Sequence, residues 1–441
     1  MSLYETLRQK HKEFIYHSYT IDEDGFSFHF SIGEYEFHPS WKYDKGSLEN
    51  ISPLGEYIIF NIGMAELVSY WKCACPPVVR VNCGSLTAEQ CRWWKKLYFN
   101  GLGEFFYRNK INADFEDFMT IIPQSDAAPD AKIDKPLSGF LVPVGGGKDS
   151  VVSLELLRQY HDDTLCYIIN PRGATVKCAN AAGFDDSGIV GVRRTIDKEL
   201  LARNADGYLN GHTPFSAVVA FSAYLFAYLN GKKYIALSNE SSANETYVKG
   251  KNVNHQYSKS TEFERDFREY TDQYLGGSDG TEYFSLLRPL SEYRIASIFV
   301  RYKQYFPVFQ SCNLGSKTDS WCANCAKCLY VYILLAAFLD DETLTGIFGR
   351  NMLEDEKLSE IFDGLIYEDI DKPFECVGTK SEVRYALYQA AQLRTEKMPV
   401  LLDGYIKKYP DRPADAEDIE NYFDSENYVP RQLLQLVKQA L

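Results

Sequence analysis

The chain has 441 residues, of which 45% are apolar, and its 61 acidic and 47 basic residues give a formal net charge of −14. This length is enough for two or three domains with buried cores. The acidic balance argues against a broad phosphate-binding surface and against nucleic acid as a partner, so any phosphate must be held at a local site.

The N-terminal segment and the apolar runs predict a cytoplasmic protein with no membrane partner. Polar and charged residues interrupt the start of the chain, where a signal peptide needs a continuous apolar stretch. The longest apolar run, Leu329–Leu339, is far shorter than the roughly 20 residues that cross a bilayer, so we expect a buried helix there. Without an export signal, the 11 cysteines are expected to be thiols or metal ligands.

Residues 1–130 are predicted to form an α+β N-terminal module. Alternating aromatic residues over 13–43, broken by short polar and glycine-containing stretches, predict antiparallel hairpins. Three further elements are predicted: a helix over Leu54–Trp71, a strand over Val78–Val81 and a helix opened by the Thr87–Gln90 capping box. The polar, proline-containing stretch Ser125–Ala131 is typical of a linker that ends this module.

Short apolar strands alternate with helices from Gly139 onward, which predicts an α/β fold with a parallel sheet covered by helices. The predicted elements are strands Phe140–Val144, Leu165–Ile169, Ile189–Val192 and Tyr234–Leu237, and helices Ser150–Tyr160, Val176–Ala182 and Thr213–Leu229. We place this unit at residues 136–340 and expect its ligand beyond the carboxyl ends of the strands. Residues 341–441 are predicted to be helical, most clearly at Lys380–Leu393 and Pro430–Leu441.

A glycine-rich loop joins the first of these strands to its helix. The stretch 141–150 reads LVPVGGGKDS, and its candidate ligand-binding residues are Gly145, Gly146, Gly147, Lys148, Asp149 and Ser150. Glycines allow close backbone approach, and the N–H groups at a helix N-terminus favour an anion such as phosphate. The spacing is not that of a Walker A loop. A glycine-rich turn without a ligand is the alternative.

The loop resembles the SGGxDS loop of the N-type ATP pyrophosphatases. In that family, the backbone and serine hold the diphosphate of ATP and the aspartate helps to place Mg²⁺. The resemblance assigns these roles to Gly146, Gly147, Asp149 and Ser150, with Lys148 at the variable position. Gly145 stands where the family has its first serine, so one hydroxyl contact is lost.

Four cysteines form a C-x9-C-x2-C-x2-C cluster: Cys312, Cys322, Cys325 and Cys328. Four thiolates can complete a closed tetrahedral shell around a structural Zn²⁺. The cluster resembles the four-cysteine zinc site of cyanodeazaguanine synthase, another ATP pyrophosphatase-type enzyme. An iron–sulfur cluster or free thiols are the alternatives. The remaining cysteines, including Cys73 and Cys75, are interpreted as ordinary buried thiols.

A polar region lies between the fourth predicted strand and the cysteines, at 239–245 and 253–260. Burying so many polar side chains is costly without a ligand, so this region is predicted to line the pocket. The catalytic candidates are His255, Lys259, Glu240 and His212, and the substrate-binding candidates are Asn239, Asn254, Arg288 and Glu292. Alternatively, Asn239 and His212 are caps, Arg288 pairs with Glu292, and Lys259 is a solvated charge.

The whole chain resembles the MurL-type epimerases of bacterial peptidoglycan synthesis, which act on UDP-N-acetylmuramoyl-L-alanyl-L-glutamate. The matching stretches are Ser69–Lys72, Gly101–Phe105, Val142–Ser150, Leu209–His212, Val253–Lys259, Tyr283–Glu292, Ser311–Asn313, Trp321–Cys328 and Lys372–Gly378. The resemblance implies a HUP-like PP-loop ATP pyrophosphatase domain. It also implies that ATP and Mg²⁺ are used to invert the terminal L-glutamate of a small nucleotide-dipeptide substrate to D-glutamate, with release of AMP and diphosphate.

The implied chemistry is consistent with these residues. A carboxylate suppresses the acidity of its α-hydrogen, and adenylation would relieve that by forming a mixed anhydride, so that acid/base groups can exchange the α-proton. Two other functions remain open: a PP-loop ligase or amidotransferase that couples the activated carboxylate to an amine, and a non-catalytic nucleotide-binding scaffold. The sequence does not determine the oligomeric state.

Overall fold

A computed structural model describes residues 1–127, 132–245 and 253–441, so the predicted linker Ser125–Ala131 lies partly outside the described residues. Its strands are β1 (Glu13–Asp22), β2 (Gly25–Ile32), β3 (Tyr35–Phe37), β4 (Ser40–Tyr43), β5 (Val78–Val81), β6 (Thr120–Pro123), β7 (Phe140–Pro143), β8 (Thr164–Ile169), β9 (Ile189–Thr195), β10 (Tyr234–Leu237) and β11 (Glu282–Ser285).

The described residues contain 17 α-helices, eight of which begin at a residue whose side chain caps the first turn. They are α1 (Leu3–Lys10), α2 (Pro53–Trp71), α3 (Ala88–Gly101), α4 (Gly103–Arg108), α5 (Lys148–Leu156), α6 (Gly173–Ala181), α7 (Lys198–Ala205), α8 (Phe215–Leu229), α9 (Thr261–Tyr274), α10 (Glu292–Phe299), α11 (Ala326–Ala336), α12 (Asp341–Phe348), α13 (Ser359–Ile366), α14 (Lys380–Gln392), α15 (Val400–Lys408), α16 (Ala416–Glu420) and α17 (Arg431–Gln439). The predicted Thr87–Gln90 capping box opens α3, and the Ser52 hydroxyl caps α2.

All the strands belong to one mixed, mostly parallel sheet in the order β11-β10-β7-β8-β9-β4-β2-β1-β5-β6, with β3 on β2. Neighbouring strands are parallel in the two outer parts of the sheet, β11-β10-β7-β8-β9 and β1-β5-β6. Between them, the neighbours in β9-β4-β2-β1 are antiparallel. The pairing of Ser40 with Thr195 and of Tyr43 with Val192 therefore connects the two predicted parts of the chain through one sheet. The domain limits at 1–130 and 136–340 stay a prediction.

The central strands are buried on both faces. Successive residues of β7 and β8 enter opposite cores: Leu141 and Tyr167 join the core that contains α2 and α8, while Val142 and Ile168 join the core that contains α5, α10 and α11. Side chains alternate across a strand, so a sheet with helices on both faces requires this near-continuous apolar pattern. The result is a helix–sheet–helix sandwich, as predicted for an α/β fold.

The helical prediction for the C-terminal region is confirmed, since α12 to α17 occupy it and the described part contains no strand after β11. The helices in the described ranges include none that is both long and apolar enough to cross a lipid bilayer. The sequence analysis missed the short strands β6 and β11. Both are edge strands with only two large apolar residues each, whereas the predicted four-residue strands β5 and β10 have three or four apolar residues.

Candidate active site

A cavity of about 550 Å³ lies at the carboxyl ends of β7, β8 and β10. Its strand-end walls come from Val144, Asn170 and Asn239, and the glycine-rich loop forms one side. The opposite wall comes from the segment 310–313 and from side chains of the last third of the chain, Lys327 and Cys376. The topology explains this position, because parallel strands deliver their following loops to one edge of the sheet.

The loop geometry explains two of its glycines. Gly146 has φ +80°, and a Cβ there would lie 2.9 Å from the backbone carbon of Ala174 and from the backbone nitrogen of Thr175. Only glycine fits this left-handed, crowded position. Gly147 is the N-cap of α5 and provides no side chain to satisfy the first N–H groups of that helix. Those groups remain available to an anion in the cavity.

Gly145 is open, because a Cβ added to it would meet no atom within 4 Å. Space therefore does not explain why glycine replaces the serine of the related loops. Ser150 lines the cavity, and its hydroxyl donates a hydrogen bond to the carbonyl of Gly147 at 2.9 Å. Both residues lie at the cavity as the sequence predicted for a ligand-binding loop, although their contact with a ligand stays a prediction.

Lys148 points away from the cavity. Its side chain is 2% exposed, and its ammonium group contacts the carboxylates of Asp149 and Glu292. Burial lowers the pKa of Lys148, but the two carboxylates outweigh burial and raise it. Glu292, at the first turn of α10, is buried with it. The sequence places Lys148 in the cofactor site and Glu292 in the substrate site, but the structure joins them in a buried ion pair.

Asp149 is the carboxylate of the loop that faces the cavity. Burial raises its pKa, but the charges of Lys148, Lys327 and Lys259 outweigh burial and hold the pKa below the usual value. Lys259 and Lys327 also line the cavity. A chain with a large negative net charge thus places two ammonium groups at the wall of one cavity, and phosphate binding there stays a prediction.

The other polar candidates build the frame of the site. Arg288 is fully buried and donates to the backbone carbonyls of Glu240 and Lys259 and, at 3.1 Å, to Glu264. It does not pair with Glu292, which is bound to Lys148.

Glu240 and Asn254 both make hydrogen bonds to the backbone of Ala243. The Glu240 carboxylate accepts from the N–H of Ala243 at 3.0 Å, and the Asn254 amide donates to the Ala243 carbonyl at 2.8 Å. Asn239 is the exception, since it lies in the cavity wall while its amide donates to the Ser285 hydroxyl at 3.1 Å. In the described parts of the polar region, 239–245 and 253–260, two side chains line the cavity, Asn239 and Lys259.

A second charged cluster adjoins the cavity and brings together Glu104, His212, His255, Lys259 and Cys376. The His255 ring is hydrogen-bonded through Nδ1 to Glu104 and also to the Cys376 thiol. The Lys259 ammonium lies 3.3 Å from the Cys376 sulfur. The His212 ring lies 4.3 Å from that of His255, centroid to centroid.

The surroundings of this cluster shift the pKa values of its members in different directions. Burial lowers the pKa of His255, but its contacts with Cys376 and Glu104 raise it to about 9. Burial and the charge of His255 lower the pKa of His212 to about 4. Burial raises the pKa of Cys376, but Lys259, His255 and Lys327 lower it to about 6. At neutral pH the cluster therefore holds a thiolate beside two cations.

The four predicted metal-ligating cysteines converge at the N-terminus of α11. Their sulfur atoms all lie within 4.8 Å of one another. The sulfur–sulfur distances are 4.0 Å for Cys312–Cys325, 3.6 Å for Cys322–Cys328 and 3.5 Å for Cys325–Cys328. A tetrahedral zinc with bonds of about 2.3 Å requires ligands about 3.8 Å apart, so the arrangement fits Zn²⁺.

The chain matches two family models in sequence order: the MurL N-terminal domain over residues 5–286 and the MurL C-terminal domain over residues 308–420. The chain belongs to the MurL family. The cavity is built from both matched regions, because the glycine-rich loop lies in the first and Lys327 and Cys376 lie in the second. The narrow resemblance found in the sequence is thereby confirmed.

Three relatives of the MurL family bear the name UDP-N-acetyl-alpha-D-muramoyl-L-alanyl-L-glutamate epimerase. The one from Xanthomonas oryzae pv. oryzae is 35% identical over 352 residues, which cover 77% of this chain and 76% of the relative. The one from Salinispora tropica is 37% identical over 347 residues, covering 77% and 74%. The one from a Micromonospora species is 36% identical over 333 residues, covering 74% and 72%.

Sequence reasoning missed Lys327, Cys376 and Glu104. Lys327 lies between two zinc-ligand candidates, Cys325 and Cys328. The cysteine spacing therefore favours only a metal site, and Lys327 is not predicted as a cavity residue. The description as an ordinary buried thiol suits Cys73 and Cys75, which are buried, but not the half-buried, cavity-lining Cys376. Glu104 lies 151 positions from its partner His255 and has no local pattern that predicts the contact.

Proposed function

We propose that this MurL-family protein is an ATP-dependent epimerase that inverts the terminal L-glutamate of UDP-N-acetylmuramoyl-L-alanyl-L-glutamate through adenylation of its carboxylate. Family membership and the shared name of the three relatives support the substrate and the isomerase reaction. The product, a D-glutamyl nucleotide, would serve peptidoglycan precursor synthesis. A cytoplasmic location and the absence of a nucleic-acid partner remain part of this proposal.

One observation carries the ATP-dependent part: the uncapped N-terminus of α5 opens into the cavity beside Asp149, Lys259 and Lys327. The first N–H groups of a helix and nearby ammonium groups are the donors that a diphosphate leaving group requires. The strand–loop–helix connection at the carboxyl end of β7 also supports a PP-loop pyrophosphatase fold of the HUP-like type. The cavity volume of about 550 Å³ suits a nucleotide-sized ligand.

The proposed residues divide into contact and positioning groups. The diphosphate would be bound by Gly145, Gly146, Gly147 and Ser150. Asp149 would hold the Mg²⁺ that neutralises the charge of the diphosphate. Asn239 would contact substrate at the strand end. Lys148 and Glu292 would fix the start of α5, while Arg288 and Glu240 would hold the backbone beneath Lys259. These last four act through other residues, and Asn254 steadies the same segment.

The zinc-fitting cysteines would act as a structural staple for the cavity wall. Cys312 itself lines the cavity, and Cys328 lies one residue after Lys327. A closed four-thiolate shell has no free coordination position, so Zn²⁺ there would fix the wall without taking part in the reaction. The staple would hold the Lys327 ammonium towards Asp149 and the diphosphate.

The test is to incubate the protein with ATP, Mg²⁺ and the L-glutamyl nucleotide and to measure AMP, diphosphate and the configuration of the glutamate. The proposal predicts AMP release and D-glutamate in the absence of any amine acceptor. Asp149→Asn is expected to abolish AMP formation, whereas Asp162→Asn, at a fully exposed carboxylate, is the matched control and should leave it unchanged. Product that forms only with ammonia or an amine would favour the ligase instead, and inversion without ATP would contradict the proposal.

A further inference from the structure

We propose that Cys376 is a catalytic acid/base residue that exchanges the α-proton of the activated glutamate on one face. This inference rests on the proposed function and names the group that performs its central step. Cys376 lines the same cavity as the glycine-rich loop, so one ligand can contact both. None of the four residues that sequence reasoning chose as catalytic combines cavity exposure with a basic form at neutral pH.

The comparison with those four candidates is direct. Lys259 lines the cavity, but Cys376 and Glu240 outweigh burial and raise its pKa, so it stays an ammonium group. His255 is held in its charged form by Glu104 and Cys376. His212 is neutral, but its ring packs against that of His255 and it is not one of the cavity-lining residues. The fourth, Glu240, is committed to its cap hydrogen bond with Ala243.

The surroundings of Cys376 favour a thiolate from several directions. The Lys259 ammonium lies 3.3 Å from the sulfur, and the His255 ring donates to it while Glu104 orients the ring from behind. Lys327 binds the backbone carbonyl of Cys376 and adds a third positive charge. Adjacent cations of this kind activate a cysteine. A thiol with a pKa near 6 is about nine-tenths ionised at pH 7.

Other cysteines of the described chain lack this environment. Burial raises the pKa of Cys91 to about 11 and that of Cys73 to about 12, so both remain thiols. The difference arises from the cation contacts, since Cys376 is also partly withdrawn from solvent. A purely structural role would not require three cations around one sulfur.

The proton balance of the step is simple. The Cys376 thiolate takes the α-proton, the C–H bond breaks, and its electron pair moves into the carbonyl of the mixed anhydride as an enolate. Water in the open cavity then protonates the other face of Cα, and the hydroxide that remains takes the proton from the thiol. The thiolate is thereby restored, and the centre is inverted without oxidation or reduction.

The test uses the full-length, metal-loaded protein with ATP and the L-glutamyl nucleotide in heavy water. Cys376→Ser should keep ATP–diphosphate exchange within about threefold of wild type, because adenylation does not need the thiolate. Deuterium entry at Cα should fall by at least about 100-fold. Cys91→Ser is the matched control, with a thiol outside the site, and should behave as wild type. Deuterium entry that persists within about threefold in Cys376→Ser overturns the role of Cys376.

A second measurement protects the test against misfolding of the variant. In wild type at pH 7, iodoacetamide should alkylate Cys376 at least about tenfold faster than Cys91, and bound ATP with substrate should slow it. Glu104→Gln, which weakens the orientation of His255, should also slow alkylation. Equal rates at the two cysteines would contradict the proposal. If wild type shows no ATP–diphosphate exchange at all, the proposed function itself fails and the Cys376 step falls with it.

Discussion

Replacing Gly146 by alanine tests whether the loop conformation supports the reaction. The residue has φ +80°, where an L side chain costs about 1–2 kcal/mol. The new Cβ would also lie 2.9 Å from backbone atoms of Ala174 and Thr175, which cannot rotate away. The loop would have to shift away from α6, so we expect a total loss of about 2–4 kcal/mol in the free energy of unfolding.

The assay is urea unfolding together with the rate of AMP formation. At an unchanged slope of about 3–4 kcal/mol per M, the midpoint of Gly146→Ala should fall by about 0.5–1 M. Displacement of the loop by about 1 Å should reduce AMP formation by about 100-fold. Gly145→Ala is the matched control, since its Cβ meets no atom within 4 Å, and should unfold as wild type does. Equal midpoints and equal AMP formation in the two variants would refute the reasoning.

Four other changes have defined outcomes. Lys148→Met leaves Glu292 buried without its cation and should cost about 3–5 kcal/mol in urea unfolding, most of it recovered by adding Glu292→Leu; a loss below about 1 kcal/mol would contradict this. Cys325→Ser should lower the zinc content measured by mass spectrometry from about one per chain to near zero. Gly145→Ser should fold normally and should not weaken ATP binding in calorimetry, because the position is open. Asp149 has a lowered pKa, so its ionised form stabilises the protein at neutral pH, and this contribution should be lost as the pH falls through the lowered value; Asp149→Asn should flatten that part of a stability–pH profile.

Local patterns were sufficient for the elements that build the cavity. The β7–loop–α5 unit carries an apolar strand, glycines and a buried helix in one continuous stretch, so every signal is close in sequence. The capping box at Thr87 is also local, and the structure contains the helix that it predicts. The cysteine cluster is similar, since its four residues lie within 17 positions.

Long-range pairings could not be predicted in the same way. Whether Lys148 turns into the cavity or towards Glu292 depends on a carboxylate 144 positions away. The thiol–ammonium contact between Cys376 and Lys259 spans 117 positions. The antiparallel pairing of β4 with β9 likewise depends on strands with no sequence signal for each other. Such contacts arise only when the sheet brings separate segments together.

The central claim is that the substrate carboxylate becomes joined to the adenylyl group of ATP. The most direct measurement uses the L-glutamyl nucleotide with ¹⁸O in the α-carboxylate of its terminal glutamate, followed by mass spectrometry of the AMP after turnover. Attack of that carboxylate on the α-phosphorus, followed by water at the acyl carbon, predicts AMP that carries one ¹⁸O atom. AMP that forms together with D-glutamate but contains no ¹⁸O would contradict the account.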